Sequence, residues 1–231
     1  MTARPLHLVL LGQGKTGSLV AEVAAERGHR TTILTEIENE KAAWLTAENL
    51  REVDAAIDFT TPDAVLANIA ACVAAKKPIV VGTTGWYGEL DRVRQEVERA
   101  STGFVFGANF SYGVNLFFQI ARTAAPALQH GYTGHITERH HIHKKDAPSG
   151  TAVALERVVA QAAGVNVDIT SEREGDIMGE HTLELSSEGD RIVLSHEVKS
   201  RRTFAEGAML AAEWIVGKTG FYDFKDIFGQ L

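Results

Sequence analysis

Over the first hundred positions, apolar residues come in short unbroken runs separated by longer stretches in which they recur every three or four residues. Short runs bounded by Gly, Pro or polar residues predict strands buried on both faces, and the periodic stretches predict helices packed against them. The predicted strands are His7–Leu11, Arg30–Leu34, Ala55–Phe59, Pro78–Val81 and Gly103–Phe106. The predicted helices are Gly14–Arg27, Pro62–Lys76, with Pro62 in a favoured first-turn position, and Glu89–Ala100. Regular strand–helix alternation predicts a parallel sheet with helices on both faces.

After Asn109 the pattern changes. One amphipathic helix, Val114–Leu128, precedes strand candidates at Thr133–Arg139, His181–Ser186 and Arg191–Lys199, the last two joined by the hairpin turn Ser187–Asp190. A second, mixed α and β domain is implied. Ala205–Val216 is helical again and is expected to return to the first domain. No internal repeat or low-complexity tract interrupts the chain.

Composition narrows the function. Among 231 residues the formal net charge is -7, which argues against a general nucleic-acid binder because phosphate neutralisation needs a basic face. The apolar stretch Leu6–Leu11 is shorter than a signal-peptide core. No apolar run approaches the roughly 20 residues of a membrane span. Cys72, the single cysteine, admits no intramolecular disulfide, which fits a reducing cytoplasm. It reads as a small buried thiol, and Trp44, Trp86 and Trp214 read as packing residues.

Gly12, Gln13, Gly14, Lys15, Thr16 and Gly17 form a G-x-G-x-x-G between a predicted strand and a predicted helix. Its glycines permit a tight turn, close approach of a pyrophosphate and close helix–strand packing, while the helix end receives phosphate charge. Glu36 follows about 20 residues later, at the end of the second strand, where an acid accepts hydrogen bonds from a ribose. Ile37 stands beside it and no arginine is placed for a 2′-phosphate, so NADH is expected to be preferred over NADPH. Phe59 and Thr60, then Gly82, Thr83 and Thr84, then Ala108, Asn109, Phe110 and Ser111 end the next three strands, the edge at which open parallel sheets bind ligands.

The chemistry concentrates between Arg139 and Lys145, which read Arg, His, His, Ile, His, Lys, Lys in an otherwise acidic chain. Asp146, Ala147, Pro148, Ser149, Gly150 and Thr151 follow, and Ser149 or Thr151 is placed to cap a helix running through Val159. Cationic side chains beside a helix N-terminus suit a dicarboxylate. Strand alternation sets His141 and His143 on one face and His140 and Ile142 on the other, unless a bend toward the loop brings His140 round. A histidine-bound metal is the obvious rival. No cysteine or carboxylate pair stands nearby to complete a coordination set, and two lysines would repel the ion, so no metal is expected.

Residues Glu138–Ala152 closely resemble the signature of the dihydrodipicolinate reductase family. Ile57–Thr60, Gly82–Gly85, Ala108–Asn115, Ser200, Arg201 and Thr203–Ala205 add further matches, so the resemblance spans nearly the whole chain. It implies an α/β fold in which a Rossmann-type doubly wound parallel sheet (1–111 with 201–231) is joined to a smaller α+β domain (112–200) for substrate binding and oligomerisation. It implies reduction of 4-hydroxy-tetrahydrodipicolinate by NADH or NADPH, with loss of water, in lysine and diaminopimelate biosynthesis. His140 would then act in acid–base chemistry, Lys144 would donate a proton, and His141, Ser149, Gly150 and Thr151 would hold substrate carboxylates. The partners implied are the small dicarboxylate and further copies of the chain in a homotetramer in the cytoplasm, with neither nucleic acid nor membrane. Three departures from the family pattern stand out: His135 replaces an acidic residue, the glycine loop is one residue short, and the chain is compact. The rival readings are an amino-acid dehydrogenase of the same fold and a non-catalytic cofactor sensor.

Overall fold

The computed structural model describes residues 4–231; the first three residues of the expected amino-terminal domain lie outside them. In chain order the strands are β1 (His7–Leu11), β2 (Arg30–Leu34), β3 (Ala55–Asp58), β4 (Ile79–Val81), β5 (Gly103–Phe106), β6 (Thr133–His140), β7 (Asp168–Arg173), β8 (Glu180–Ser186), β9 (Arg191–Glu197) and β10 (Gly220–Asp223). The helices are α1 (Lys15–Glu26), α2 (Pro62–Ala74), α3 (Leu90–Ala100), α4 (Tyr112–Ala124), α5 (Gly150–Ala163), α6 (Arg202–Ile215) and α7 (Phe224–Ile227). Two compact units result, one from the chain up to Tyr112 together with Arg201–Leu231, the other from Gly113–Ser200.

The first unit is a six-stranded sheet in the order β10-β5-β4-β3-β1-β2, parallel throughout. Its four inner strands, β1, β3, β4 and β5, are buried on both faces, which is why they read as apolar runs. Leu8, Leu10, Ile57 and Val105 pack with residues of α1 and α6 on one side; Val9, Leu11, Ile79 and Phe104 pack with residues of α2 and α3 on the other. Helix α6 returns late in the chain to lie against α1. Arg27 holds Glu206 at 2.6 Å and Glu213 at 2.9 Å, and the buried ring of His29 meets Glu213 at 2.9 Å. Close approach requires Gly207, where an added Cβ would sit 1.7 Å from the Phe110 carbonyl oxygen.

A four-stranded mixed sheet, β7-β6-β8-β9, forms the second unit, with β6 and β7 parallel and the other pairs antiparallel. Along β6 and β8 every second residue is buried, and Ile136, Leu183 and Leu185 pack in one core with Leu155 and Val159 of α5 and Phe117 and Ala121 of α4. Register places Glu138 opposite His181 and His140 opposite Arg173.

Differences from the predicted elements have local causes. The helix expected to reach Leu128 stops at Ala124 and continues as a 3₁₀ segment, Ala125–His130, because Pro126 lacks an N–H and its ring obstructs the preceding turn. β7 and β10 were absent from the sequence reading. Both are edge strands, with partly exposed sequences (DITSER and GFYD) that carry no apolar run. The strand carrying the signature ends at His140 and turns, so the alternation expected for residues 140–143 stops there.

Replacing Gly207 by Ala is expected to lower stability by about 1–3 kcal/mol, since backbone cannot move aside as a side chain can. Urea unfolding checks this. Gly189→Ala, where a Cβ meets nothing nearer than 3.9 Å, serves as the neutral comparison.

Candidate active site

In the first unit the loop after β1 is shaped by two glycines. Gly12 has φ +92° and a Cβ there would lie 2.4 Å from the Phe59 carbonyl oxygen; one on Gly17 would lie 2.1 Å from the Gly12 carbonyl oxygen. Gly14 is different, with nothing within 4 Å of its Cβ position. It is also the N-cap of α1 and makes no side-chain cap, and first-turn N–H groups have no intrahelical acceptor. Open space before a helix end is what a pyrophosphate requires, so these residues fit a dinucleotide.

Two cavities meet at this loop. One of about 280 Å³ is lined by Gly14–Gly17, Phe59, Thr60 and Gly82–Thr84. Its neighbour, about 490 Å³, is lined by Gly12, Gln13, Glu36, Lys41 and Asn68 among others. Every residue expected at the cofactor site from the first four loops lines one or the other. The loop after β5, Ala108–Ser111, lines neither. Phe110 is buried against Phe224 with ring centroids 4.7 Å apart, and the fully buried Ser111 hydroxyl lies 3.1 Å from that of Thr203. Hydrophobic burial therefore turns the Phe110 side chain into the core, a correction to its expected place in the crevice. Trp86 is likewise core, packed edge-on against Phe104 and Phe106.

What holds these loops together was not anticipated. Asp58, completely buried at the end of β3, accepts hydrogen bonds from the Thr60 N–H (3.0 Å), the Thr60 hydroxyl (2.8 Å), the Thr83 hydroxyl (2.6 Å) and the Asn68 amide (2.8 Å). One carboxylate thus ties the loops after β3 and β4 to α2.

The second unit gathers the acid–base residues. On the buried face of β6, Glu138 and His140 follow Ile136 at two-residue spacing. Glu138 accepts a short hydrogen bond from His140 Nδ1 through one oxygen; the other accepts from Arg173 at 2.8 Å and from the Ser149 N–H at 3.3 Å. Arg173 also donates to the Asp146 carbonyl at 2.6 Å, and Lys144 Nζ donates to Asp146 Oδ1 at 2.8 Å. Ser149 does cap α5: its hydroxyl accepts from the Ala152 N–H at 3.1 Å and lies 3.0 Å from His181 Nε2. Its polar groups are therefore directed inward, and Gly150, with open space at its Cβ position, and Thr151 are left to present the helix end. His141 and His143 sit side by side in the turn, ring centroids 6.2 Å apart, and His141 Nδ1 is buried without a partner among the described residues.

Burial dominates the electrostatics. It pushes the Glu138 carboxyl up, but hydrogen bonds from Arg173, Ser171 and His140 outweigh it and hold that carboxyl below the usual range. Burial lowers His140, against the opposing pull of Glu138 and with help from Lys144 and Arg173. His181 is lowered to about 4 by burial, with nearby His140 adding to the effect. Glu138, His140 and His181 also lie close enough to share an ion. Both oxygens of Glu138 are already engaged, and Arg173 and Lys144 oppose a further cation, so the donor set favours the hydrogen-bonded network.

Glu138, Arg173 and His181 were missed as site residues. For Glu138 a signal existed: on a strand, the residue two before His140 shares its face.

Residues 6–110 match the family model for the dihydrodipicolinate reductase N-terminus and residues 113–228 that for its C-terminus. The chain belongs to the dihydrodipicolinate reductase family. Among its relatives, the 4-hydroxy-tetrahydrodipicolinate reductase of Christiangramia forsetii is 34% identical over 98% of this chain and 99% of its own. That of Thiobacillus denitrificans is 39% identical over 81% and 82%. A dipicolinate-bound dihydrodipicolinate reductase from Paenisporosarcina sp. TG-14 superposes with a TM-score of 0.83 over 97% of this chain and 100% of that one; at 21% identity this likeness is one of fold.

Protonation of His181 costs the folded state. Because its folded pKa lies below the ordinary histidine value, the unfolded chain binds more protons between pH 6.5 and about 4, and stability falls as pH drops through that window. Denaturant titrations at several pH values are expected to show His181→Gln losing about 2–3 kcal/mol less than the wild type between pH 6.5 and 4.5.

Proposed function

We propose that this protein catalyses reduction of 4-hydroxy-tetrahydrodipicolinate to tetrahydrodipicolinate by a nicotinamide cofactor, with loss of water, as its relatives' names indicate for them. The reading rests on one observation above the others: the signature residues fold into a single acid–base cluster placed at the N-terminus of α5. Bound in the cradle of the first unit, the nicotinamide cofactor supplies the hydride.

The chain's own residues do the rest. Gly150 and Thr151 N–H groups at the α5 end, with the imidazole of His141, receive the two carboxylates. Lys144 attracts the dianion and donates a proton. Its present partner Asp146 is exposed, and exposed ion pairs are weak enough to exchange for a better one. His140 exchanges a proton at the reacting ring, a task an imidazole can serve because its two nitrogens can hold and release a proton. Gly12–Gly17, Phe59, Thr60 and Gly82–Thr84 hold the cofactor phosphates and ribose, and Ala108 and Asn109 contribute through their backbone.

Glu36 favours NADH. Its carboxylate lines the larger cavity, where it accepts from ribose hydroxyls and repels a 2′-phosphate, and Ile37 beside it is 91% exposed and offers no charge. Lys41 lines the same cavity, so NADPH is accepted less well rather than excluded. Assembly as a homotetramer is supported by Ile192 and Val193, large apolar residues exposed on β9. Among the described residues no helix is long and apolar enough to cross a membrane. The buried Cys72 thiol, pushed up to about 12 by burial, is unreactive. Both features suit a cytoplasmic enzyme.

A coupled assay from pyruvate and aspartate semialdehyde with the preceding synthase is expected to show substrate-dependent loss of NADH absorbance. Folded, NADH-binding protein that fails there refutes the substrate assignment. Lys144→Ala should lower kcat by about 10²–10⁴-fold while leaving NADH affinity nearly unchanged. Comparing kcat/KM for the two cofactors should favour NADH, and Glu36→Gln should narrow the difference.

A further inference from the structure

The sequence marks His140 as the acid–base group but leaves open what aims it. An imidazole has two nitrogens, and which one carries the proton is set by the hydrogen bond the other makes. In the fold His140 has one firm partner, Glu138, at its Nδ1. Glu138 has no solvent exposure at all. An ionised carboxylate only accepts hydrogen bonds, so the proton of this pair sits on Nδ1. The opposite nitrogen, Nε2, lies over Gly179, where an added Cβ would come within 3.0 Å of it and where φ is +157°. A side chain at residue 179 would crowd that edge of the ring.

We propose that Glu138 is the positioning residue of the acid–base site: anchored by Arg173 and the Ser149 N–H, its carboxylate binds the Nδ1–H of His140 and commits Nε2 to proton exchange with the substrate. This rests on the function proposed above. Arg173 serves a second purpose. Its guanidinium bridges Glu138 and the Asp146 carbonyl, and Asp146 in turn holds Lys144. One arginine from the edge strand β7 therefore ties both proton-carrying side chains to a single buried anion. A buried carboxylate without such partners would be expelled or neutralised.

The charged and titratable groups acting on His140 come from each element around it: Glu138 on β6, Arg173 on β7, His181 on β8 and Lys144 in the turn. Glu138 raises its proton affinity, whereas Arg173 and Lys144 lower it; His181, already neutral near pH 7, adds no charge there. Glu138→Gln removes a raising influence and moves the His140 limb of the pH–rate profile to lower pH. Arg173→Gln instead strips Glu138 of its anchor and so disturbs the same pair. For Glu138→Gln the direction is the same whether the enzyme uses the neutral or the protonated ring.

The test uses the purified full chain in the coupled assay, with NADH binding measured separately. Glu138→Gln is expected to lower kcat by about 10- to 100-fold, to leave NADH affinity within about twofold of the wild type, and to shift the pH limb downward. Arg173→Gln, which removes the anchor of Glu138, is expected to lower kcat as well while leaving NADH affinity nearly unchanged. Nitrogen-15 spectra of histidine-labelled wild type should show the His140 proton on Nδ1 near pH 8, without reference to turnover. Unchanged kcat and pH limb in Glu138→Gln, unchanged kcat in Arg173→Gln, or a proton on Nε2 in the wild type each overturn the proposal. If Glu138→Gln does not fold, Arg173→Gln and the wild-type spectra decide it. Should the wild type itself lack reductase activity, the function proposed above fails, and the spectra still judge the tautomer.

Discussion

The second unit is organised around a charge that cannot be left alone. Glu138 sits on the inward face of β6 among groups that exclude water, and an ionised carboxylate in that position must be compensated on every side. Compensation comes from His140 on its own strand, Arg173 on the parallel neighbour, and the backbone at the cap of α5. Strand pairing, helix capping and assembly of the acid–base residues are consequently linked: none is complete until the others are. His181, directly opposite Glu138 in the sheet register, is held neutral by burial, and its hydrogen-bond contact with Ser149 ties it to the same cap.

The first unit solves a related problem with the same kind of group. Asp58, also fully buried and also at the carboxyl end of a strand, gathers donors from two loops and a helix. Its partners are neutral hydroxyls and amides rather than a guanidinium. The outcome is rigidity in loops that must present backbone, not side chains, to a cofactor. Glycines at positions 12 and 17 let those loops approach one another within distances no Cβ would tolerate, and the open position at Gly14 keeps the helix end clear.

Much of this was legible in the chain because the relevant signals are local. A strand buried on both faces has to be apolar, so β1, β3, β4 and β5 stand out as runs. A tight turn between a strand and a helix requires glycine at set spacing, so the loop from Gly12 to Gly17 is readable as one suited to a dinucleotide. The basic stretch from Arg139 to Lys145 stands out in an acidic protein. β7 and β10 are edge strands whose sequences, DITSER and GFYD, carry no apolar run, so neither is legible, although β7 contributes Arg173. The proline that turns α4 into a 3₁₀ segment is visible in the sequence, but the amphipathic pattern runs straight through it.

By itself the sequence determined most of the strands and helices of the first unit, where a glycine loop of dinucleotide-binding spacing falls, and where basic and titratable side chains concentrate, since these follow from periodicity, glycine spacing and side-chain type over a few neighbouring residues. Tertiary structure alone decided that Phe110 is core and that Ser149 rather than Thr151 caps α5. It also decided that Glu138 meets Arg173, 35 residues away. Side-chain partners at such separations depend on strand order and register, and a shift of one residue would turn every one of them to the opposite face of the sheet.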